Sequence, residues 1–450
     1  MPDLDAIVKA YDIRGTVPDQ LDAEACRALG VAFAEFAGAP RIVVAHDMRA
    51  SGVELLAAFE EGARRQGVDV VHLGLASTDT LYYASGVLDA PGAMFTASHN
   101  PAQYNGIKCC LPGARSIGID TGLREIKAIA AAHLAGGGPA PAAARGGATR
   151  RDMLPEFVDH VLSFVDVAAL TPLRIVADTA NGMGGLVAPA VFARIPQFTV
   201  EVMYGELDGT FPNHPADPLQ SVNQRDLQAR VVAGGFDVGL AFDGDADRVF
   251  LVDEQGRSVS GSTTTALLAS VFLRTHPGAT ILYNLICSRV VPETIASLGG
   301  KGIRTKNGHS YMKQVMAETG AVFAGEHSGH YYFARNYRAD SGLIAAMVVL
   351  GEMCRTGSTL SALRAPYEKY AASGEINTTV ADIGAVIARI ADAHASHPQD
   401  RLDGLTVDCG DWWFNVRPSN TEPLLRLNLE APTRDECDEH VAALLALITA

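Results

Sequence analysis

The sequence predicts an α/β protein of several domains that ends in a smaller α+β domain. Its 450 residues exceed what one hydrophobic core usually organises, so two to four domains are expected. Short β-like apolar runs alternate with helical patterns through most of the chain, which is typical of sheets covered by helices. From about Glu375 the order changes to strand, helix, further strands and a last helix over 434–449, which predicts a mainly antiparallel sheet.

Three successive α/β units are predicted before that last block. In the first, the Gly- and Pro-rich stretch 136–147 has nothing to bury, so we expect a linker or disordered loop there. The second alternation starts with a helix at 152–164, and the third follows a turn-like segment at 253–256. The predicted α/β domains are therefore residues 1–148, 149–253 and 254–368, and the α+β domain is residues 369–450.

Composition excludes several classes of partner. The formal net charge is -15 and no Lys/Arg-rich run occurs, so neither nucleic acid nor an anionic membrane surface is expected as a partner. No apolar run approaches the roughly 18 residues of a spanning helix. Seven cysteines without metal-binding spacing are typical of reduced core thiols, which favours a cytoplasmic protein.

Ser98 is the candidate nucleophile. It lies in residues 95–101 (FTASHNP), after a predicted buried strand at 92–95 and before an Asn-Pro pair that must turn or stay extended. We therefore expect an exposed loop at the carboxyl end of a strand, where α/β proteins place their chemistry. Lys108 follows closely enough in the chain to share the site of Ser98.

A second motif, DGDADR over residues 243–248, lies between two apolar runs. Asp243, Asp245 and Asp247 occupy alternate positions of a tight loop and can converge on one hard cation such as Mg²⁺. A calcium EF-hand would need glycine where Arg248 stands, and the flanks look like strands. A solvated acidic turn is the other alternative, although close like charges repel without compensation. Arg248 indicates a site where an anion meets the metal.

Two further loops carry polar groups suited to a sugar phosphate. In residues 325–330 (GEHSGH), alternate side chains point the same way and offer an acceptor, a hydroxyl and an imidazole for sugar hydroxyls, although an ordinary polar loop is the alternative. In residues 417–423 (RPSNTEP), an arginine fork and small polar groups can form a phosphate nest. The candidates are Glu326, Ser328 and His330 in the first loop and Arg417, Ser419, Asn420 and Thr421 in the second.

Smaller signals complete the set. Tyr11 and Arg14 lie near a turn, and His309 precedes a helix as a candidate proton carrier near neutral pH. A glycine-rich stretch at 181–185 has the wrong spacing for a dinucleotide loop, so no nucleotide cofactor is expected. A nucleophilic hydroxyl, a metal cage, a sugar loop and a phosphate nest together indicate phosphoryl transfer on a phosphosugar.

In this order and separation, these stretches resemble the motifs of the α-D-phosphohexomutase family over essentially the whole chain. The resemblance implies three similar α/β domains with mixed sheets, a C-terminal α+β lid and an active site in the central cleft. It also implies interconversion of mannose 6-phosphate and mannose 1-phosphate, with the glucose phosphates as further substrates. His327 and the adjoining residues 339–342 (ADSG) are similar to the phosphomannomutase branch. A phosphoglucomutase or phosphoglucosamine mutase of the same family is the alternative.

The resemblance also implies roles for single residues. Ser98 carries the phosphoryl group, and the three aspartates hold one Mg²⁺ together with an oxygen of the phosphoserine. Hexose 1,6-bisphosphate is the activator, and the protein is a monomer or a homodimer. The catalytic positions are Ser98, Lys108, Arg14 and His309, and the substrate-binding positions are Tyr11, Arg248, Glu326, Ser328, His330, Arg417, Ser419, Asn420 and Thr421.

Two other classes of protein are weighed against this interpretation. A haloacid-dehalogenase-like phosphotransferase would use Asp243 or Asp245 as its nucleophile, but its usual D-x-D-x-T/V pattern does not match this loop. A non-catalytic phosphosugar-binding protein would bind without turnover. The intact serine and the complete set of aspartates favour an enzyme over that second alternative.

Overall fold

The computed structural model describes residues 2–419 and 424–449, which form four sheets. The first region has strands that run both parallel and antiparallel, with helices on their faces. Its elements are α1 (Leu4–Ile7), β1 (Ile13–Thr16), α2 (Ala23–Ala37), β2 (Arg41–His46), α3 (Gly52–Arg65), β3 (Asp69–Leu75), α4 (Thr78–Leu88), β4 (Gly92–Phe95), β5 (Tyr104–Leu111), β6 (Arg115–Ser116), α5 (Arg124–Leu134) and β7 (Ala148–Arg150). The strand order is β1-β5-β4-β2-β3-β7, with β6 beside β5.

The second region repeats this mixed architecture on a smaller scale. Its elements are α6 (Leu154–Leu162), β8 (Leu173–Asp178), α7 (Gly184–Phe192), β9 (Phe198–Met203), α8 (Arg225–Gly234), β10 (Val238–Phe242), β11 (Val249–Asp253) and β12 (Ser258–Val259). The strand order is β12-β11-β10-β8-β9, in which β8 pairs in parallel with both β9 and β10. The carboxyl ends of these parallel strands meet at one edge of the sheet.

The third region has the strand order β14-β13-β15-β16, and the fourth has the order β17-β21-β20-β19-β18. The third comprises α9 (Gly261–Thr275), β13 (Thr280–Asn284), α10 (Val290–Ser297), β14 (Lys301–Thr305), α11 (His309–Thr319), β15 (Phe323–Gly325), β16 (Tyr331–Phe333), α12 (Gly342–Thr356) and α13 (Leu360–Arg364). The fourth comprises β17 (Ala371–Thr379), α14 (Ile383–Ala393), β18 (Gln399–Asp400), β19 (Leu405–Asp408), β20 (Trp413–Pro418), β21 (Leu424–Ala431) and α15 (Arg434–Thr449). All pairs in the fourth sheet are antiparallel, so the predicted fold class is confirmed.

The hydrophobic cores do not divide the chain as evenly as the sheets do. One cluster of buried apolar residues extends from Phe157 to Leu360, so the second and third regions share a core. Most of α12 is buried in it. The first and fourth regions have core clusters of their own. The second and third regions are therefore fixed to each other by packing, and the first region is joined to the third by a small buried cluster that includes Tyr82, Cys110 and Ala339.

The Gly- and Pro-rich stretch at 136–147 is not simply a linker. The Ala142 and Gly146 amides donate to the carbonyls of Arg65 and Arg64 over 2.9 Å each, which carries the chain along the end of α3. A segment without side chains to bury can still satisfy its backbone groups in this way. It then leads into β7, which pairs with β3. The first sheet thus extends to residue 150 and the second to residue 259, slightly beyond the positions expected from the sequence.

Helix starts follow from the sequence through capping side chains. Asp22 accepts a hydrogen bond from the Ala25 amide over 2.7 Å at the start of α2, and Ser341 accepts one from the Ile344 amide over 3.2 Å at the start of α12.

By length and composition, no single helix among the described residues could cross a membrane. One bent pair, α12 with residues 360–367, passes that test with a bend of 100°.

Candidate active site

The site begins at the loop that follows β4. This loop carries Ser98, whose hydroxyl donates a hydrogen bond to Asp243 Oδ2 over 2.8 Å. The expected proximity of the serine to the acidic loop is therefore confirmed. The loop is exposed at residues 101–103, as expected, but Ser98 itself is buried, with 4% of its surface exposed. The acidic loop covers it: a Cβ on Gly244 would lie 2.3 Å from the Ser98 carbonyl oxygen, so this close approach requires glycine.

The backbone of Ser98 is in the left-handed region, with a φ of 50°. Such a conformation costs a non-glycine residue of the order of 1 kcal/mol or more, and it persists where the surroundings impose it. Thr96 supplies one restraint, because its Oγ1 accepts a hydrogen bond from the Ser98 amide over 2.9 Å. The hydroxyl is thus presented by a backbone conformation that depends on its neighbours.

The three aspartates lie in the turn between β10 and β11 and are 0–1% exposed. One oxygen from each of Asp243, Asp245 and Asp247 lies within 4.8 Å of the others. Asp245 Oδ1 and Asp247 Oδ1 have no hydrogen-bond partner within the described ranges. Unpaired buried carboxylate oxygens are costly, and oxygen ligands of this kind suit Mg²⁺. The donor set therefore fits a magnesium ion, and the flanking strands rule out the EF-hand alternative.

Lys108, on β5, offsets part of this negative charge. Its Nζ lies 2.6 Å from Asp245 Oδ2 and 2.7 Å from Asp247 Oδ2. Burial alone would lower the pKa of Lys108, but the two carboxylates raise it well above its ordinary value. Burial acts to raise the pKa of Asp245, and Lys108 together with a hydrogen bond from Thr78 lowers it below the ordinary value. Lys108 is therefore an ammonium that can donate a proton but does not accept one in this arrangement.

Arg248 connects the nucleophile to the acidic loop. Its Nε lies 2.9 Å from Asp243 Oδ2, and its Nη2 donates to Ser98 Oγ over 3.3 Å. The same Nη2 contacts the His99 ring. A guanidinium beside the serine hydroxyl favours negative charge next to that oxygen, such as the charge on the phosphate oxygens of a seryl phosphate. The sequence-based inference that an anion and a metal meet at this residue thus has a geometric basis.

The loop between β15 and β16 brings its three polar residues together. Ser328 Oγ lies 3.0 Å from His330 Nδ1, which is 3.6 Å from Glu326 Oε2. His330 Nε2 lies 3.7 Å from Asp247 Oδ1, so this loop also reaches the acidic loop. Tyr332 fixes the carboxylate by donating to Glu326 Oε2 over 2.6 Å. The predicted convergence of the acceptor, the hydroxyl and the imidazole is confirmed.

Tyr11 and His309 meet where the first region contacts the third. The Tyr11 hydroxyl donates to the Asn307 carbonyl over 3.0 Å, and the Tyr11 and His309 ring centroids lie 5.9 Å apart. Burial and the nearby charge of Lys313 hold the pKa of His309 well below its ordinary value. Its Nε2 is buried and has no hydrogen-bond partner in the described chain. The lowered pKa favours the neutral imidazole and also makes His309 a weaker base than a free histidine.

Arg14 lies on β1 and contacts the nucleophile loop directly. Its two Nη atoms donate to the Asn100 side chain and to Asp12 Oδ2. The Arg14 Nε is buried without a hydrogen-bond partner among the residues described. Arg14 thus retains one donor beside the loop that carries Ser98.

In the fourth region, Arg417 and Arg426 converge on one carboxylate. Arg417 Nη2 donates to Glu375 Oε2 over 2.6 Å, and Arg426 Nη1 lies 3.1 Å from Glu375 Oε1. Arg426 Nη2 also donates to Ser419 Oγ over 3.1 Å. Asn420 and Thr421, predicted from the same motif, lie outside the described residues. The two arginines make this part of the site electropositive.

Arg417 lies beside a cavity between the fourth and third regions. Its Nη1 donates to Asn428 Oδ1 over 2.8 Å, and Asn428 lines that cavity together with Gly374 and His327. The fourth region therefore faces the sugar loop of the third. Arg289, at the start of α10, links the third region to the fourth: its amide donates to Glu430 Oε1 over 2.9 Å and its Nη2 to Asp408.

Several residues of the site are not apparent from the motifs. Asp47 and Arg49 follow β2 and lie beneath the Ser98 loop, and Thr78 donates to Asp245 Oδ2 over 2.6 Å from the start of α4. The available signal is position, since charged or polar residues directly after buried strands collect at one edge of a sheet. That signal does not say which of these residues reaches the loop.

Models of known protein families match the chain in four consecutive stretches. Their descriptions are Phosphoglucomutase/phosphomannomutase, alpha/beta/alpha domain I for residues 5–135, domain II for residues 155–256, domain III for residues 260–370, and the C-terminal domain for residues 375–447.

Curated relatives and solved structures agree with these matches. A phosphomannomutase from Salmonella montevideo is 38% identical over 431 residues, and one from Escherichia coli (strain K12) is 37% identical over 432 residues; each comparison covers 94% of both chains. A phosphoglucomutase/phosphomannomutase family protein from Burkholderia thailandensis superposes with a TM-score of 0.89 at 30% identity, covering 100% of this chain and 98% of that one.

A buried carboxyl group lies beneath the acidic loop. Asp79, on α4, accepts a hydrogen bond from Ser341 Oγ over 2.6 Å and another from Ser77. Burial raises the pKa of Asp79 to about 7, even though these two hydrogen bonds act to lower it. Because the folded protein binds this proton more tightly than the unfolded chain does, its stabilising effect is present below about pH 4 and is lost as the pH rises toward 7.

Replacing this carboxyl by an amide is expected to remove that loss. The thermal unfolding midpoint of Asp79→Asn, measured relative to wild type at fixed Mg²⁺, should rise steadily as the pH is raised from about 5 to 7, equivalent to about 1.4 kcal/mol per pH unit at most. Asp120→Asn removes an exposed carboxylate of the same region and is the control. A difference that is constant with pH, or that falls, contradicts this assignment.

Proposed function

Because this chain belongs to the phosphoglucomutase/phosphomannomutase family, we propose that it interconverts mannose 6-phosphate and mannose 1-phosphate, with the glucose phosphates as further substrates. A phosphoglucomutase or phosphoglucosamine mutase of the same family is the second candidate. The names of the curated relatives favour mannose. The observation that carries the chemistry is the contact of Ser98 Oγ with Asp243, inside a cluster of buried carboxylates that fits Mg²⁺.

In the proposed reaction, phosphorylated Ser98 gives its phosphoryl group to the free hydroxyl of the substrate. The bond from Ser98 Oγ to phosphorus breaks and a bond from the sugar oxygen to phosphorus forms. The hydroxyl proton of the sugar passes to a base, and a proton restores the Ser98 hydroxyl. The product of this step is hexose 1,6-bisphosphate. The bisphosphate turns over in the cleft, and its other phosphate returns to Ser98. Hexose 1,6-bisphosphate also acts as the activator, because it phosphorylates a free Ser98.

Each charged side chain has a task in this scheme that its surroundings support. Asp243, Asp245 and Asp247, with an oxygen of phosphorylated Ser98, would hold one Mg²⁺, which when bound offsets the charge of the transferred group. His309 is assigned as the proton acceptor, because its Nε2 has no hydrogen-bond partner in the described ranges, whereas Lys108 Nζ is held by two carboxylates.

The other loops bind the part of the substrate that does not react. Glu326, Ser328 and His330 hold sugar hydroxyls with their mixture of donors and acceptors. Arg417, with Ser419, Asn420 and Thr421, binds the distal phosphate, and Tyr11 and Arg14 complete the wall on the side of the first region. Arg248 faces the serine oxygen and stabilises the phosphate there.

The aspartyl-phosphate alternative is disfavoured by the surroundings of the acidic loop. Asp243 Oδ2 accepts from both Ser98 and Arg248, and Asp245 Oδ2 accepts from Thr78 and Lys108. These contacts tie Oδ2 of both carboxylates to the serine, the lysine and the arginine around them, so both aspartates are held as partners of those side chains. A non-catalytic sugar-binding role would not require a serine in a strained conformation beside a metal-binding cluster.

The choice of sugar is tested by comparing rates on mannose 1-phosphate, glucose 1-phosphate and glucosamine 1-phosphate with Mg²⁺ and a hexose 1,6-bisphosphate primer. We expect the highest kcat/KM with mannose 1-phosphate, a lower value with glucose 1-phosphate and the lowest with glucosamine 1-phosphate. Preference for glucosamine 1-phosphate would show that the proposed sugar is wrong, while the proposed phosphoryl transfer would remain. Absence of turnover with all three would favour a binding protein.

The nucleophile is tested by Ser98→Ala. Intact-protein and peptide mass spectrometry should find phosphate on Ser98 in the wild type and none in the variant, and mutase turnover should fall below detection because the phosphoryl carrier is missing. Substrate binding should stay measurable. Ser163→Ala removes an exposed serine hydroxyl and is the control. Near-normal turnover of Ser98→Ala, or phosphate on an aspartate, contradicts the assignment.

The phosphate site of the fourth region is tested by Arg417→Ala. Loss of a charge-assisted hydrogen bond costs about 1.5–3 kcal/mol, so KM should rise by roughly 10- to 100-fold while kcat changes less. Arg434→Ala removes an exposed arginine of the same region and should leave KM unchanged. Steady-state kinetics check this, and an unchanged KM in Arg417→Ala would count against a binding role.

A further inference from the structure

We propose that Arg49 is a positioning residue of the mutase reaction, which holds the Ser98 loop in its reactive conformation through four hydrogen bonds to the loop backbone. This inference rests on the proposed function, since it takes Ser98 as the phosphoryl carrier. Arg49 follows β2 and is 2% exposed. It is distinct from the substrate and metal contacts described above, because its hydrogen bonds go to main-chain oxygens and not to the Ser98 hydroxyl.

The guanidinium of Arg49 lies at the centre of the loop. Nη2 donates over 2.9 Å and 2.6 Å, and Nη1 donates over 2.8 Å twice. The acceptors are all backbone carbonyls of the nucleophile loop, and they belong to Ser98, Asn100, Pro101 and Tyr104. A loop whose carbonyls converge on one planar cation can keep that path only while the cation is present.

The loop needs this support because strand pairing does not supply it. β4 ends at Phe95 and β5 begins at Tyr104, and between them residues 96–98 are buried whereas residues 101–103 are exposed. Buried backbone carbonyls without partners are costly. Ser98 also has its φ of 50°, which the surroundings must impose. One arginine thus satisfies several carbonyls and fixes the strained residue at the same time.

Two other groups hold the guanidinium itself. Asp47 Oδ1 accepts the Arg49 amide hydrogen bond over 2.9 Å, and Asp47 Oδ2 lies 3.3 Å from Arg49 Nε. From the second region, the Phe211 ring centroid lies 5.2 Å from Arg49 Cζ. A Cβ on Gly209 would lie 2.7 Å from Arg49 Cα, so the second region approaches this residue as closely as glycine permits. Arg49 is therefore clamped between a carboxylate and an aromatic ring.

Lysine cannot reproduce this arrangement. An ammonium is a compact charge with three donors, whereas the guanidinium is a planar fork that places its N–H groups in fixed directions. The four acceptors surround two Nη atoms of that fork. Arg49→Lys therefore keeps a buried positive charge but loses the planar fork that reaches the four carbonyls. Misplacement of a reacting group by about 1 Å can cost about 100-fold in rate. We therefore expect Arg49→Lys to lower kcat.

The test compares Arg49→Lys and Arg49→Ala with wild type in the full-length protein. We expect kcat to fall by about 100-fold or more in both variants, with KM within a few-fold of wild type, because the substrate-binding loops are unchanged. Added guanidinium ion should restore part of the kcat of Arg49→Ala and none of that of Arg49→Lys. Arg64→Ala and Arg64→Lys are matched controls, since Arg64 Nε donates to the Gly146 carbonyl over 2.9 Å in the same region, and they should keep wild-type kcat.

The results separate this inference from the proposed function. If wild type carries phosphate on Ser98 and Arg49→Lys keeps its kcat, or if KM rises while kcat does not change, the positioning role is wrong and the mutase assignment stands. If wild type never carries phosphate on Ser98, the proposed function fails first. Should both Arg49 variants fail to fold, Phe211→Leu decides: it removes the aromatic clamp, and a lowered kcat at unchanged KM supports the role, whereas wild-type kinetics overturn it.

Discussion

The burial of three aspartates within 4.8 Å of one another is the constraint on which the rest of the site depends. Like charges at such distances in a buried environment are strongly unfavourable unless cations or donors face them. Lys108 and Arg248 supply the charge, and Ser98 and Thr78 supply hydroxyl donors. Asp245 Oδ1 and Asp247 Oδ1 still lack a hydrogen-bond partner in the described chain. A magnesium ion would neutralise part of the remaining negative charge and bind such oxygens.

Apart from Arg248, the compensating groups come from a different region than the charges. Lys108, Ser98 and Thr78 belong to the first region, whereas the aspartates follow β10 in the second. Neither region could bury its part of the site alone, because each would leave charged groups unpaired in an apolar surrounding. The electrostatics of the acidic loop therefore also join the first two regions. His330 and Asp79 extend the same network to the third region, through Asp247 and Ser341.

Much of this could be predicted from the sequence, and the reason is local. Loops that carry chemistry follow buried strands, and their residue types reveal the chemistry, so Ser98, the aspartates and the sugar loop are recognisable from a few neighbouring residues. The burial of Ser98 is not, because the cover comes from Gly244, which is distant in the chain. The role of Arg49 cannot be recognised from the sequence either, since its partners are backbone carbonyls, which every residue carries. The core shared by the second and third regions also depends on tertiary packing that periodicity does not contain.

The fourth region is attached by a different kind of contact. It has its own core, and its links to the third region include polar pairs such as Arg289 with Asp408 and the Arg289 amide with Glu430. Polar interfaces between domains are typical of surfaces that move relative to each other, whereas a shared apolar core is not. The proposed bisphosphate must turn round without leaving, which needs three walls that keep the metal, the serine and the sugar loop in register and one wall that can yield. The polar attachment lies on the side of Arg417 and Arg426, for which we propose phosphate binding, and the shared core lies on the side of the buried charges.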